Sequence, residues 1–194
     1  DIRPSRGLGD VYKRQVYWEN GAQIIPPHDS GIAGEIDEAA TKPIPLMNLD
    51  DAEKHDLLVW LKEDYYETYR QTMNGNPLLA NHQQPEAVGV AYTAMHGVGA
   101  DMAETLLKDA GFTKVYSVAE QRDPDGSFPT VNFPNPEEAG AMDMVVALAK
   151  ANNADIACAN DPDADRFAVA ARRPDGEFQM LTGDQVGSLF GNYL

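Results

Sequence analysis

From about residue 86 onward, apolar runs of strand length alternate with amphipathic stretches of helix length, and this alternation leaves the chain few architectures. "EAVGVAYT" reads as a short strand, and "GVGADMAETLLKDAGF" as a helix with Val98, Met102, Leu106 and Ala110 at i, i+4 spacing and Gly111 as its stop. "TKVYSVAE" is a second strand. The Pro-rich loop "QRDPDGSFPTVNFPN" then leads to a helix over "PEEAGAMDMVVALAKAN". There Asn135 is placed to cap, Pro136 takes the first helical position and two glutamates fill the first turn. "ADIACA" is a third strand, and "RFAVAARR", the turn "PDG" and "EFQMLT" form a β-hairpin. "GDQVGSLFGNYL" begins a last helix. The expected fold class is therefore α/β, a three-layer α/β/α domain with a mostly parallel βαβαβ sheet and a C-terminal β-hairpin.

Upstream the pattern is less ordered. Tyr17 and Trp18 before Asn20-Gly21 read as a strand running into a turn, and Pro26-Pro27 stops regular structure. "HDSGIAGEIDEAA" reads as a short helix capped by Asp29 or Ser30, with Ile32 and Ile36 on one face. "TKPIPLMN" is a loop. Residues 51–73 read as one helix, with Asp50 and Glu53 in a capping-box pattern and Leu57, Leu58, Leu61, Tyr65, Tyr69 and Met73 on one packing stripe. "NGNPLLANHQQPE" is a linker with a boundary near it. The first residues, "DIRPSRGLGDVYKRQ", share no period with residue 16 onward. They read as a non-native scar, the other reading being a native basic tail.

Composition narrows the function. A net charge of -16 argues against holding a nucleic acid by general electrostatics, though not against a small phosphorylated ligand met by local groups. The one cysteine, Cys158, rules out an internal disulfide, fits a reducing compartment such as the cytoplasm, and reads as a small buried residue. No apolar run approaches the roughly 20 residues of a membrane span, so no membrane partner is expected.

Ligands of such sheets bind beyond the carboxyl ends of the strands, where two loops fall. The loop after the third strand is "NDPDADR", with Asp161, Asp163 and Asp165 at alternate positions and Arg166 next to them. Carboxylates this close repel and raise one another's pKa unless a cation sits among them. Their hard oxygens suit Mg²⁺, Ca²⁺ or Mn²⁺, and alternate residues of an extended loop point the same way. An EF-hand needs Gly at the sixth position and Glu at the twelfth, where this chain has Arg166 and Arg172. A solvated acidic turn is the plainer alternative. The loop after the first strand, "TAMHGVG", sets glycines before a helix N-terminus, which suits an anion. His96 can contact a phosphate there with Gly97, or serve only hydrogen bonding within the turn.

The motifs "TAMHGVG", "FPTVNFPNPEE", "ANDPDADR" and "LTGDQVGSLF", in this order and spacing, resemble the second domain of the α-D-phosphohexomutases. "VYWENGAQIIPPHDSGI" is similar to the end of the family's first domain, in the branch that includes phosphoglucomutase-2 and phosphopentomutase-like enzymes. The resemblance covers about residues 16–194. It implies a Mg²⁺-dependent intramolecular phosphotransferase with four domains around a cleft. In it a phosphoserine exchanges phosphate with a hexose or pentose phosphate through a bisphosphate intermediate. It further implies that Asp161, Asp163 and Asp165 are the magnesium ligands and that Arg166 stands near the transferred phosphate.

Two departures matter. The family's nucleophile loop, of the type Thr-Ala-Ser-His-Asn-Pro, has no counterpart here, and Ser5, Ser30, Ser117, Ser127 and Ser188 have other surroundings. Gln15 stands where a lysine is usual, and Lys13 is out of register. The chain is therefore expected to be an internal fragment, inactive alone, or a non-catalytic Mg²⁺-binding module as it stands. The expected layout is a non-native segment at 1–15, the end of the first domain with its connecting helix at 16–80, the metal-binding domain at 81–182, and the start of the next linker at 183–194.

Overall fold

The computed structural model describes residues 17–43, 45–61, 63–78 and 84–194, so the reading of residues 1–15 lies outside the described residues. The chain divides into two compact units, Asp1–Lys62 and Glu63–Leu194.

In the first unit Tyr17 pairs with Gln23 in an isolated antiparallel bridge. The turn between them uses Gly21 at φ 77, and the Asn20 side chain accepts from the Ala22 N–H. Helix α1 (His28–Ala39) follows Pro27 with no side-chain cap. Asp29 and Ser30, the expected caps, lie inside its first turn, where the Asp29 carboxylate accepts from the Ser30 N–H at 2.7 Å. Helix α2 (Leu49–Lys54) is capped by Asn48, whose side chain accepts from the Asp51 N–H, in place of the expected Asp50.

The single helix expected over 51–73 is two. Helix α2 closes in a Schellman arrangement, with Leu57 N–H bonded to the Ala52 carbonyl and Asp56 N–H to the Glu53 carbonyl. Asp56 takes the left-handed conformation, φ 56, that this motif requires and that a right-handed helix cannot pass through. The apolar stripe continued across the break, and so the periodicity hid it. None of the described residues up to Leu61 is buried.

The second unit opens with helix α3 (Glu63–Asn74), whose residues also stay on the surface. A five-stranded sheet comes next, made of β1 (Gly89–Thr93), β2 (Lys114–Ser117), β3 (Ile156–Asn160), β4 (Phe167–Arg172) and β5 (Phe178–Met180). Its order is β2-β1-β3-β4-β5. The pairs β1/β2 and β1/β3 are parallel, and β3/β4 and β4/β5 are antiparallel. This is the expected mixed α/β sheet with a parallel core and a terminal hairpin.

Helix α4 (Ala100–Asp109) covers one face, and helix α5 (Asp143–Ala151) covers the other. Under α5 the sheet presents Ala91, Ala157, Ala159, Ala168 and Ala170, small enough for Val145 and Ala149 to seat closely. Under α4 lie Val90, Tyr92 and Cys158, packed with Ala103 and Leu107. Cys158 is buried, as its apolar surroundings in the sequence imply. Arg70 of α3 holds Asp109 at the end of α4 through two guanidinium nitrogens, and Asn74 adds a bond of 2.8 Å.

Helix α5 begins seven residues later than Pro136, its expected first position. Gly140 at φ 82 interrupts any helix through 136–142, and the Asn135 side chain caps only a turn, accepting from the Glu137 N–H at 3.2 Å. Helix α6 (Gly183–Tyr193) starts with a complete capping box between Thr182 and Gln185.

Candidate metal centre

The loop from β3 to β4 stands at the carboxyl end of β3. Asp161 to Ala164 form a tight turn, in which the Ala164 N–H donates to the Asp161 carbonyl at 2.9 Å and Ala164 takes φ 60. The turn replaces the extended loop expected from the alternate aspartates. It brings them together nevertheless: one carboxylate oxygen from each of Asp161, Asp163 and Asp165 lies within 4.8 Å of the others. Asp163 and Asp165 are exposed, whereas Asp161 is only 3% exposed. The Asp161 carboxylate accepts from the Arg166 N–H at 3.0 Å, and the Arg166 guanidinium, half-exposed, has its Nε 3.9 Å away.

Asn160 closes the loop from its base. Its Nδ2 donates to the Arg166 carbonyl at 2.7 Å, and its Oδ1 accepts from the Tyr92 hydroxyl at 3.1 Å. Burial, helped by the charge of Glu104, pushes Tyr92 up to about 12, so this donor keeps its proton through the neutral range. Nothing in the sequence marks Asn160 for this role, because Tyr92, the partner that ties it to β1, is 68 residues away.

The loop after β1 packs against the aspartate turn. Val98 donates its N–H to the Pro162 carbonyl at 2.8 Å, which seats Gly97 on Pro162. Met95 and His96 precede it at φ 49 and φ 60, both left-handed and neither glycine. Such residues cost roughly 1–2 kcal/mol each and persist only where the surroundings over-determine them. Here a buried network does so. Thr93 Oγ1 donates to Gln121 Oε1 at 2.7 Å, Gln121 Nε2 donates to Thr130 Oγ1 at 2.8 Å, and His96 Nε2 lies 2.8 Å from the same oxygen. Gln121 is 0% and His96 4% exposed. The buried His96 ring is thus engaged with the exposed Thr130, and Gly97 is the member of the predicted pair that meets the aspartate loop.

Three carboxylates with no thiol or imidazole among them form a hard oxygen set, which fits Mg²⁺, Ca²⁺ or Mn²⁺ and disfavours softer metals. Ser30, Ser117 and Ser127 each give their hydroxyl to a carboxylate, respectively of Asp29, Glu104 and Asp125. No histidine is paired with any of these three serines among the described contacts.

A parallel-core α/β/α sheet with an acidic loop at the carboxyl end of β3 defines a class of domain, and comparison with known families identifies it. The family description "Phosphoglucomutase/phosphomannomutase, alpha/beta/alpha domain II" matches residues 63–176, more than half of the chain, which belongs to that family. A phosphoribomutase of Saccharomyces cerevisiae is 41% identical over 92% of this chain and 31% of its own length. A probable phosphomannomutase of Haemophilus influenzae is 41% identical over 90% of this chain and 34% of its own. A human phosphopentomutase is 38% identical over 93% of this chain and 30% of its own. The chain thus spans about a third of the length of the curated relatives it matches.

Proposed function

We propose that this chain is the metal-holding portion of a Mg²⁺-dependent sugar-phosphate mutase, an intramolecular phosphotransferase of the phosphoglucomutase/phosphomannomutase type. One observation carries the reading: three carboxylates converge at the carboxyl end of a parallel strand in a chain that belongs to a phosphomutase family. Asp161, Asp163 and Asp165 hold the ion. Mg²⁺ in such a place supplies charge neutralisation to a phosphate in transfer. Arg166 adds a directional guanidinium contact to a phosphate oxygen, and its exposure leaves it room to do so. His96 and Gly97 belong to the supporting loop in the vicinity of that phosphate. Within the whole protein, residues 81–182 are the metal-bearing domain, 16–80 the end of the preceding domain with its connecting helix, and 183–194 the lead into the next. The substrates are a hexose or pentose phosphate and its bisphosphate intermediate, handled in the cytoplasm. This assignment draws on relatives named for ribose, pentose and mannose phosphates.

The second reading, a Mg²⁺-binding module without turnover, describes the 194-residue chain by itself. Its support is that none of the serines with described hydroxyl bonds is paired with a histidine. A Mg²⁺ titration followed through the amide resonances of residues 160–166 tests the metal reading. The loop resonances move at millimolar Mg²⁺, and Asp163→Asn weakens the response. If the largest shifts lie elsewhere, the ligand assignment fails. The same chain, given glucose 1-phosphate, Mg²⁺ and a bisphosphate primer, shows no conversion; turnover abolished by changing one serine would sink the second reading.

A further inference from the structure

We infer that Gly97 and Gly99 are positioning residues for the cation site, present so that the loop after β1 can lie directly on the turn that carries the aspartates. The inference rests on the metal reading of Asp161, Asp163 and Asp165 and adds what sets their spacing. A Cβ on Gly97 would fall 2.2 Å from Pro162 Cα, 2.3 Å from its carbonyl oxygen and 2.5 Å from its carbonyl carbon. All three are backbone atoms, so no side-chain rotation relieves the clash. A Cβ on Gly99 would fall 3.1 Å from Ala164 Cβ and 3.1 Å from the Tyr92 hydroxyl oxygen. Gly99 has φ -78, and Gly97 is absent from the positive-φ glycines, so close approach and not left-handed backbone requires glycine at both positions. Pro162 and Ala164 alternate with the three aspartates, so what touches these two residues sets where the carboxylates stand.

The sequence offers these glycines another purpose, a cradle of N–H groups for an anion. The hydrogen bonds argue against that use for the first part of the loop. The N–H of His96 donates to the Gln121 carbonyl, that of Gly97 to the Ala94 carbonyl and that of Val98 to the Pro162 carbonyl, each at 2.8 Å. The side that yields under a larger residue is also decided. The loop after β1 is pinned by the buried Thr93, His96 and Gln121, whereas in the facing turn Asp161 alone is buried and Pro162, Asp163, Ala164 and Asp165 are partly or fully exposed. An added methyl therefore displaces the aspartate turn.

The experiment is the Mg²⁺ titration of the isotopically labelled chain, read at the amides of 160–166, well below the melting temperature. Gly97→Ala lowers the affinity about tenfold or more, in line with losses on removing support from behind metal ligands, while the resonances of α5 keep their positions. Gly99→Ala lowers it less. Adding Ala164→Gly to Gly99→Ala recovers the affinity toward that of Ala164→Gly alone, because the facing methyl is gone. A merely destabilising change would leave the affinity of the folded chain unaltered at this temperature. Gly187→Ala, in open space on α6, leaves the affinity unchanged. If the parent chain binds and both glycine variants bind as well as it does, the positioning role is refuted and the metal reading survives. A parent chain that shows no loop response refutes both. Should Gly97→Ala fail to fold, the Gly99–Ala164 pair decides alone: loss with rescue supports the inference, and loss without rescue or no loss overturns it.

Discussion

Replacing Gln121 by methionine tests whether the buried polar network holds the loop behind the aspartates. Methionine is unbranched, of similar length and apolar, so the change removes two hydrogen bonds with little change of volume. The two bonds are not equal. Thr130 is exposed, and its oxygen can turn to water when Gln121 Nε2 is lost. Thr93 is 1% exposed, and its hydroxyl loses Gln121 Oε1, its acceptor among the described contacts. Its oxygen still accepts from the Met95 N–H at 3.1 Å, but the O–H is left dry. A lost neutral bond is worth about 1 kcal/mol, and a buried donor left without partner costs about 1–3 kcal/mol more. The variant should therefore be less stable by about 2–4 kcal/mol.

Urea denaturation in EDTA measures this, with Thr93→Ala and the double variant completing a cycle. Because the two side chains serve each other, the double variant should cost less than the sum of the singles by about 0.5–3 kcal/mol. The amide of Gly97 should also exchange faster in Gln121→Met, since the left-handed Met95 and His96 lose their restraint. A cost below about 0.5 kcal/mol, the ordinary range of surface changes, would refute the account. So would strict additivity.

Single groups give other outcomes. The Gly89 N–H, then the Arg172 guanidinium, hold the Asp155 carboxyl below its ordinary 3.8 against the opposing effect of burial. A depressed carboxyl stabilises the fold above the unfolded value, and that contribution disappears as pH falls through the folded one. The stability gap between the parent and Asp155→Asn should thus be constant near neutrality and close below pH 3.8 in acid titrations monitored by circular dichroism; a gap that widens in acid would contradict this. Cys158 is buried and its thiol is pushed up to about 12 by burial, so a disulfide reagent at pH near 8 should label it only as fast as the sheet opens. Labelling complete within seconds in native buffer would show the thiol accessible. Amides of α1, which buries no residue, should exchange almost unprotected while those of α5, which buries Val145 and Ala149, are slow. Equal protection would mean that the first unit has a core of its own.

The sheet was readable because its strands are short apolar runs joined by amphipathic helices, and those periods are local properties of the chain. The breaks were less so. Asp56 closes α2 and Gly140 holds off the start of α5, each through left-handed backbone, and around each the apolar residues keep the spacing of a continuous helix. Periodicity reports which face a residue would show if the helix continued, and it is blind to one residue of the opposite hand. Asp56 could have been suspected, since Asp tolerates that conformation better than most residues. Gly140 had a plainer signal in its residue type, which the strong helical pattern around it outweighed.

At the candidate site, the aspartates and Arg166 were legible because they are neighbours in the sequence. Asn160, Thr130 and Gln121 were not, since each acts on a partner brought near only by the fold; His96 and Thr130 are 34 residues apart. The sequence also presents the three aspartates as equivalents, and the structure does not. Asp161 is buried and bonds the Arg166 backbone across the turn, so it is part of the loop's framework as well as its charge. Asp163 is exposed, and exposed ionic contacts are worth about 0–1 kcal/mol. In EDTA, Asp161→Asn should therefore cost about 0.5–2 kcal/mol, the difference between a bond to a charged and to a neutral acceptor. Asp163→Asn should stay within about 0.5 kcal/mol of the parent. With Mg²⁺ added, both should lose the stabilisation that binding gives the parent, because each removes one anionic ligand. Urea titrations with and without Mg²⁺ separate the two contributions. Equal costs in EDTA would mean that the aspartates share the framework role, and an Asp163→Asn variant stabilised by Mg²⁺ as fully as the parent would remove that residue from the ligand set.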